Sequence, residues 1–275
     1  MTDDKIPEVS LGPASLSADA HPPHRIAELV EGVGVAKARL ALLPMALLGF
    51  LAGVYIAIGA MLFTLVMTDP VGGLGVARWI GGLAFSLGLV LVVVAGAELF
   101  TGNNLIVMAW ADRKISTAEL LRNWSVVYAG NFAGSVAAAL MVWGAGTYGI
   151  GGGKVAATAN AIAQAKVALP FIEALLRGVM CNVLVCLAVW LCLASHSVTD
   201  RILAIVFPIA AFVALGFEHS VANMFFIPAG MLHGAEGVSL GGLAANLIPV
   251  TIGNLIGGGA FVAGVYWVIY LRKRQ

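Results

Sequence analysis

The sequence predicts an all-α membrane protein with six transmembrane helices in two inverted three-helix repeats, the second and fifth crossings being interrupted. Three observations carry this prediction. Of the 275 residues 60% are hydrophobic and 11% charged, with a mean hydropathy of +0.97, beyond what a soluble domain of this size shows. Six apolar stretches, at about 38–67, 78–110, 121–147, 168–194, 201–232 and 241–271, come near or exceed the ~20 residues that cross a bilayer. The second and fifth contain the polar strings GAELFTGNN and GFEHSVAN, and backbone that leaves the helix at membrane depth is tolerated only inside protein or beside an aqueous cavity.

Residues 1–36 begin MTDDKIPEVSLGPASLSADAHPPH and carry no basic stretch followed by an apolar one, so they do not read as a signal peptide. From His24 the spacing of Ile26, Leu29, Val30 and Val33 predicts a short amphipathic helix. This segment is expected on the cytoplasmic side, ahead of a six-span domain over 37–275. Lys37, Arg39, Arg113, Lys114, Arg122, Arg201, Arg272, Lys273 and Arg274 fall at one set of loop ends, against Arg78, Lys154 and Lys166 at the other. The excess predicts cytoplasmic N and C termini.

The third stretch carries Asn123, Gly130-Asn131 and Gly134, and the sixth repeats that spacing with Asn246, Gly253-Asn254 and Gly257. Glu98 and Glu218 occupy corresponding places in the two interrupted stretches. Three crossings per half is an odd number, so the second copy is inverted, a recurrent transporter design. Glycine-rich helices also converge on such strings through close packing alone. Glu218 and His219 stand side by side in an apolar run, and ionisable groups at that depth mark functional pathways. Cys181, Cys186 and Cys192 share one apolar stretch without metal-ligand spacing and read as packing thiols. A net charge of +1 gives no reason to expect a nucleic-acid partner. No paired acid and base, metal cluster or cofactor motif suggests an enzyme, a metal site or a cofactor.

Four strings in order, GAELFTGNN (96–104), KVALPFIEALLRGVMCNVLVCLAVW (166–190), GFEHSVANM (216–224) and NLIPVTIGNLIGGG (246–259), resemble the formate–nitrite transporter family from about residue 25 to the C-terminus. FSLGL (85–89) and the ending YWVIYLRKR resemble its formate channels more than its nitrite ones. The resemblance implies an aquaporin-like protomer in a homopentamer of the bacterial inner membrane, with one pore in each protomer for a small monovalent anion. Formate is expected first and nitrite as the close alternative; a neutral-solute channel is the more distant one. By motif, Leu89 and Phe100 would form a cytoplasmic constriction and Phe85 with Phe212 a periplasmic one. Thr101 and His219 would face each other between them, and Lys166 would stand in the periplasmic vestibule with Asn182 nearby.

Each residue also has a plainer reading. His219 either bridges two loops as a satisfied buried histidine or polarises or protonates an anion in transit. Thr101 either bonds its own helix or holds the imidazole or the ligand. Glu98 and Glu218 would repel an anion as direct ligands; with Asn103 and Asn223 they are expected to support the loops, the carboxylates accepting backbone N–H bonds. Lys166 either snorkels to the interface or lures anions. Asn182 either makes an interhelical hydrogen bond or shares that lure. The four apolar gate candidates look like core without the resemblance; with it they fit rings that strip water. His21 and His24 lie in the segment that the resemblance implicates in pH-dependent closure.

Overall fold

The computed structural model describes residues 20–272; residues 1–19 of the N-terminal segment and Lys273 and Arg274 of the basic ending lie outside the described residues. The chain runs through α1 (Pro23–Ala38), α2 (Leu42–Val66) and α3 (Leu74–Val90), the last prolonged by a π-type turn over Leu91–Gly96. A 3-10 turn (Gly102–Ile106) leads into α4 (Val107–Ala111), followed by α5 (Thr117–Gly144). The second half repeats the order with α6 (Lys154–Val167), α7 (Phe171–Ala194), α8 (Val198–Ala214), α9 (Ser220–Leu232) and α10 (Leu240–Leu255), which continues in π-type turns towards Leu271. Among the described residues five helices are long and apolar enough to cross a membrane, and the remaining expected crossing is divided between α8 and the shorter apolar α9.

The breaks fall at the two polar strings. Gly96 (φ 88°) and Gly216 (φ 72°) hold left-handed backbone that ends α3 and α8, a conformation glycine adopts without a Cβ penalty. Ser116 and Glu119 open α5 with a capping box, and Ser197 with Asp200 opens α8 in the same way.

Within each half the first and third crossings pack closely, α2 on α5 and α7 on α10. The approach needs glycine. A Cβ at Gly134 would lie 2.0 Å from the Phe50 carbonyl oxygen, and one at its counterpart Gly257 would lie 2.2 Å from that of Val179.

Helix α6 departs from the sequence prediction, which assigns no element to residues 148–167. Its buried stripe consists of Val155, Ala159 and Ala163, and such small side chains give a faint periodic signal. It is the counterpart of α1. That helix buries Ile26, Ala27, Val30, Glu31 and Gly34 against the end of the bundle and runs on to Ala38, past the segment boundary expected at residue 36. Glu31 pairs with Lys114, which precedes α5. Burial pushes the Glu31 carboxyl up, with Lys114 opposing it, while the bond to Glu31 pushes the Lys114 ammonium up. The three cysteines are free and buried, as packing thiols.

Candidate functional site

The two breaks are held by the same polar clamp, built twice. In the first half Lys37 Nζ donates to Glu98 Oε1 (2.8 Å), Asn103 donates to Glu98 Oε2 (2.6 Å) and to Asn123 Oδ1 (3.0 Å), and Asn123 donates back to the Lys37 carbonyl (3.1 Å). In the second, Lys166 Nζ donates to Glu218 Oε1 (3.0 Å), Asn223 donates to Glu218 Oε2 (2.6 Å) and to Asn246 Oδ1 (2.7 Å), and Asn246 donates to the Lys166 carbonyl (2.8 Å). Asn131 and Asn254 fasten the loop backbone. Asn131 donates to the carbonyls of Gly49 and Glu98 and accepts from Phe100 N–H; Asn254 donates to those of Gly178 and Glu218 and accepts from Ser220 N–H. Buried amides and charges need such partners.

This register aligns the halves residue by residue and shows where they differ. Leu99 follows Glu98 where His219 follows Glu218, and Val221 stands where the first half has Thr101. The two polar members of these pairs meet: Thr101 Oγ1 and His219 Nε2 are 2.9 Å apart, in residues 0% and 3% exposed. His219 is also the N-cap of α9, its Nδ1 accepting the Ala222 N–H at 3.1 Å. With Nδ1 accepting, a neutral ring carries its proton on Nε2 and donates to Thr101, whose hydroxyl proton is then free to turn to a third group.

Cavities open on either side of this pair. One of 430 Å³ is lined by Phe85, Phe212, Glu218, His219, Lys166 and Arg177, among others. The other, of 280 Å³, is lined by Leu89, Val92, Leu99, Asn103, Lys37 and Arg201, among others. They lie at opposite ends of α3, and their walls correspond through the repeat, Lys37 matching Lys166 and Leu99 matching His219. Phe85 and Phe212 meet edge to face at 5.7 Å, and Phe212 stacks on His219 at 5.9 Å.

Several expectations change in this setting. Glu98 and Glu218 bind lysine and asparagine side chains, not the backbone donors expected of them, because Asn131 and Asn254 occupy the loop backbone. Lys166 is 14% exposed in its side chain and held by Glu218, so it neither snorkels nor presents an unpaired charge. Asn182 is fully buried away from the lysine cavity; it donates to the Thr101 and Asn254 carbonyls and to Asn104 Oδ1, the interhelical alternative. Phe100 packs on Trp124 and Tyr128 and lines neither cavity, whereas Leu89 lines the smaller one. Arg177 pairs with Glu173 and donates to the Gly216 carbonyl. Lys37, which reads in the sequence as a loop cation, is the counterpart of Lys166; the signal is its place five positions before α2, as Lys166 stands five before α7.

The formate/nitrite transporter family profile matches residues 24–268. The chain is 41% identical to the formate channel FocA of Escherichia coli (strain K12), covering 92% of this chain and 95% of that protein. It is 38% identical to the formate channel BtFdhC of Bacillus thuringiensis, covering 93% and 98%. Among solved structures it matches a pentameric formate channel with formate bound, at 40% identity and a TM-score of 0.79 over 84% of this chain and 98% of that one. A family ion channel matches at 29% identity with the same TM-score, over 89% and 98%. With the repeated clamp, the two broken crossings and these likenesses together, the chain belongs to the formate/nitrite transporter family.

Proposed function

We propose that this protein conducts small monovalent anions, formate foremost, between the Lys37 cavity and the Lys166 cavity by way of Thr101 and His219. The observation that carries the reading is the buried Thr101–His219 hydrogen bond, set between two cavities with largely apolar walls. Where water is stripped away, a bare anion loses its hydration and needs donors in return. The threonine hydroxyl proton supplies one, and the imidazole Nε2–H a second once the anion displaces Thr101 as its acceptor; the clamped carboxylates are neutralised by lysines, so neither repels the solute. Uptake of a proton at His219 Nδ1, with loss of the Ala222 N–H bond, followed by transfer of the Nε2 proton to formate, would return a neutral ring and let formate cross as the neutral acid. Leu89 on one side and the Phe85–Phe212 pair on the other act as the constrictions.

The likeness to a pentameric formate channel supports a homopentamer, read here with one path per protomer, and the excess of basic residues at one set of loop ends supports cytoplasmic N and C termini in a bacterial inner membrane. Exposed apolar faces on α2 and on α10 with its π-type continuation, such as Leu43, Leu47, Leu51, Ile248 and Phe261, suit lipid or a neighbouring protomer. Initial flux into proteoliposomes, compared for formate, nitrite, acetate and lactate, tests the reading. Formate is expected fastest and nitrite close behind; equal passage of glycerol or urea would make the pore a neutral-solute channel.

A further inference from the structure

The charges around each cavity leave a remainder. On one side Lys37 and Glu98 cancel, and on the other Lys166 cancels Glu218 while Arg177 cancels Glu173. Two arginines remain. Arg201, from the first turns of α8, lines the 280 Å³ cavity, and Arg78, from the first turns of α3, lines the 430 Å³ cavity. Neither has a side-chain hydrogen bond or ion pair among the described residues, and Arg201 Nε is buried without a partner. A buried guanidinium N–H left unmatched is costly, and the group that best matches its planar donors is a carboxylate or a similar oxyanion. The repeat does not account for the pair, since Gly81 and Val198 stand at the corresponding positions. Each half has placed its arginine independently in the opening turns of its broken crossing, facing the mouth opposite its own clamp.

We infer that Arg201 and Arg78 each form an anion-staging subsite, one at each mouth, taking a small monocarboxylate or a comparable monovalent oxyanion before it reaches Thr101 and His219. The clamp lysines then serve mainly to neutralise the loop carboxylates, and the arginines supply the net positive charge that concentrates the solute. Their roles are separable by side, which a purely structural role would not be. The inference rests on the conduction reading above.

The test is initial formate flux against formate concentration, with formate supplied from either face of proteoliposomes of fixed orientation. Arg201→Gln should raise the half-saturating concentration roughly tenfold when formate starts on the Lys37 side, leave the opposite direction unchanged and preserve the maximal rate. Arg78→Gln should give the mirror result, and Arg201→Lys should recover part of the loss. A change equal in both directions, or a fall in maximal rate alone, overturns the inference. Crystals soaked in bromide read the subsites without reference to the conducted species. Anomalous peaks within hydrogen-bond reach of both guanidinium groups support them, and peaks unaltered in Arg201→Gln count against that one. If wild-type protein passes no formate while the bromide peaks are present, conduction of formate is wrong and the subsites stand; formate flux with no side-specific effect leaves conduction standing and removes the subsites.

Discussion

At the scale of single residues, His219 combines a chemical position with a structural one, because the ring that bonds Thr101 also caps α9. Asparagine is among the best N-caps, so His219→Asn removes the titratable proton while keeping the helix start. It is expected to pass formate as the anion and to lose at least roughly tenfold of any flux as the neutral acid, read by recording flux and intraliposomal pH together. Undiminished acidification would remove proton transfer from the mechanism. Thr101→Ala should weaken both modes about fivefold, the worth of one hydrogen bond. The clamp makes a different prediction. Lys166→Ala strands Glu218, 6% exposed in its side chain, and is expected to lower unfolding stability by about 3–5 kcal/mol, as when one partner of a buried ion pair is removed. Lys166→Ala with Glu218→Gln should recover most of that. Thermal unfolding in detergent compares the two, and equal losses would mean that the lysine packs and does not neutralise.

At the scale of elements, close helix approach and the docking of α1 are the features most open to test. Gly134→Val sets side-chain atoms against the Phe50 carbonyl and should abolish folded protein, while Gly73→Ala, with open space around it, should be neutral; purification yield and monodispersity report both. Lys114→Met removes the partner of buried Glu31 and should speed amide exchange across α1 without altering that of α10. How much of this is legible in the sequence follows from side-chain size and distance along the chain. The crossings and their two breaks are visible because long apolar runs and the strings ELFT and EHS are local signals. Helix α6 escapes notice because alanines carry its buried face. The repeat is visible in the Asn131 and Asn254 spacing, yet what those amides hold is not, since Asn254 reaches Gly178, 76 residues away in sequence. The Lys37–Glu98 pair bridges 61 residues and joins elements that only the fold brings together, and the same holds for the cavity walls at Arg78 and Arg201.

At the scale of the whole molecule, the inverted halves make sidedness a property of the chain. A single cysteine at position 154 should label from outside cells and one at position 272 only after permeabilisation; the reverse pattern would invert the assignment of both termini to the cytoplasm. The twinned clamps have one more consequence, which concerns membrane voltage. Moving one elementary charge through 100 mV is worth about 2.3 kcal/mol, enough to turn a charged loop into a voltage sensor. Here each broken crossing carries its carboxylate locked to a lysine, Glu98 to Lys37 and Glu218 to Lys166. A loop that shifts together with its partner carries no net charge through the field. Patch recordings should therefore show open probability flat across voltage, with rectification arising only from the permeating anion and from the unequal contents of the two mouths.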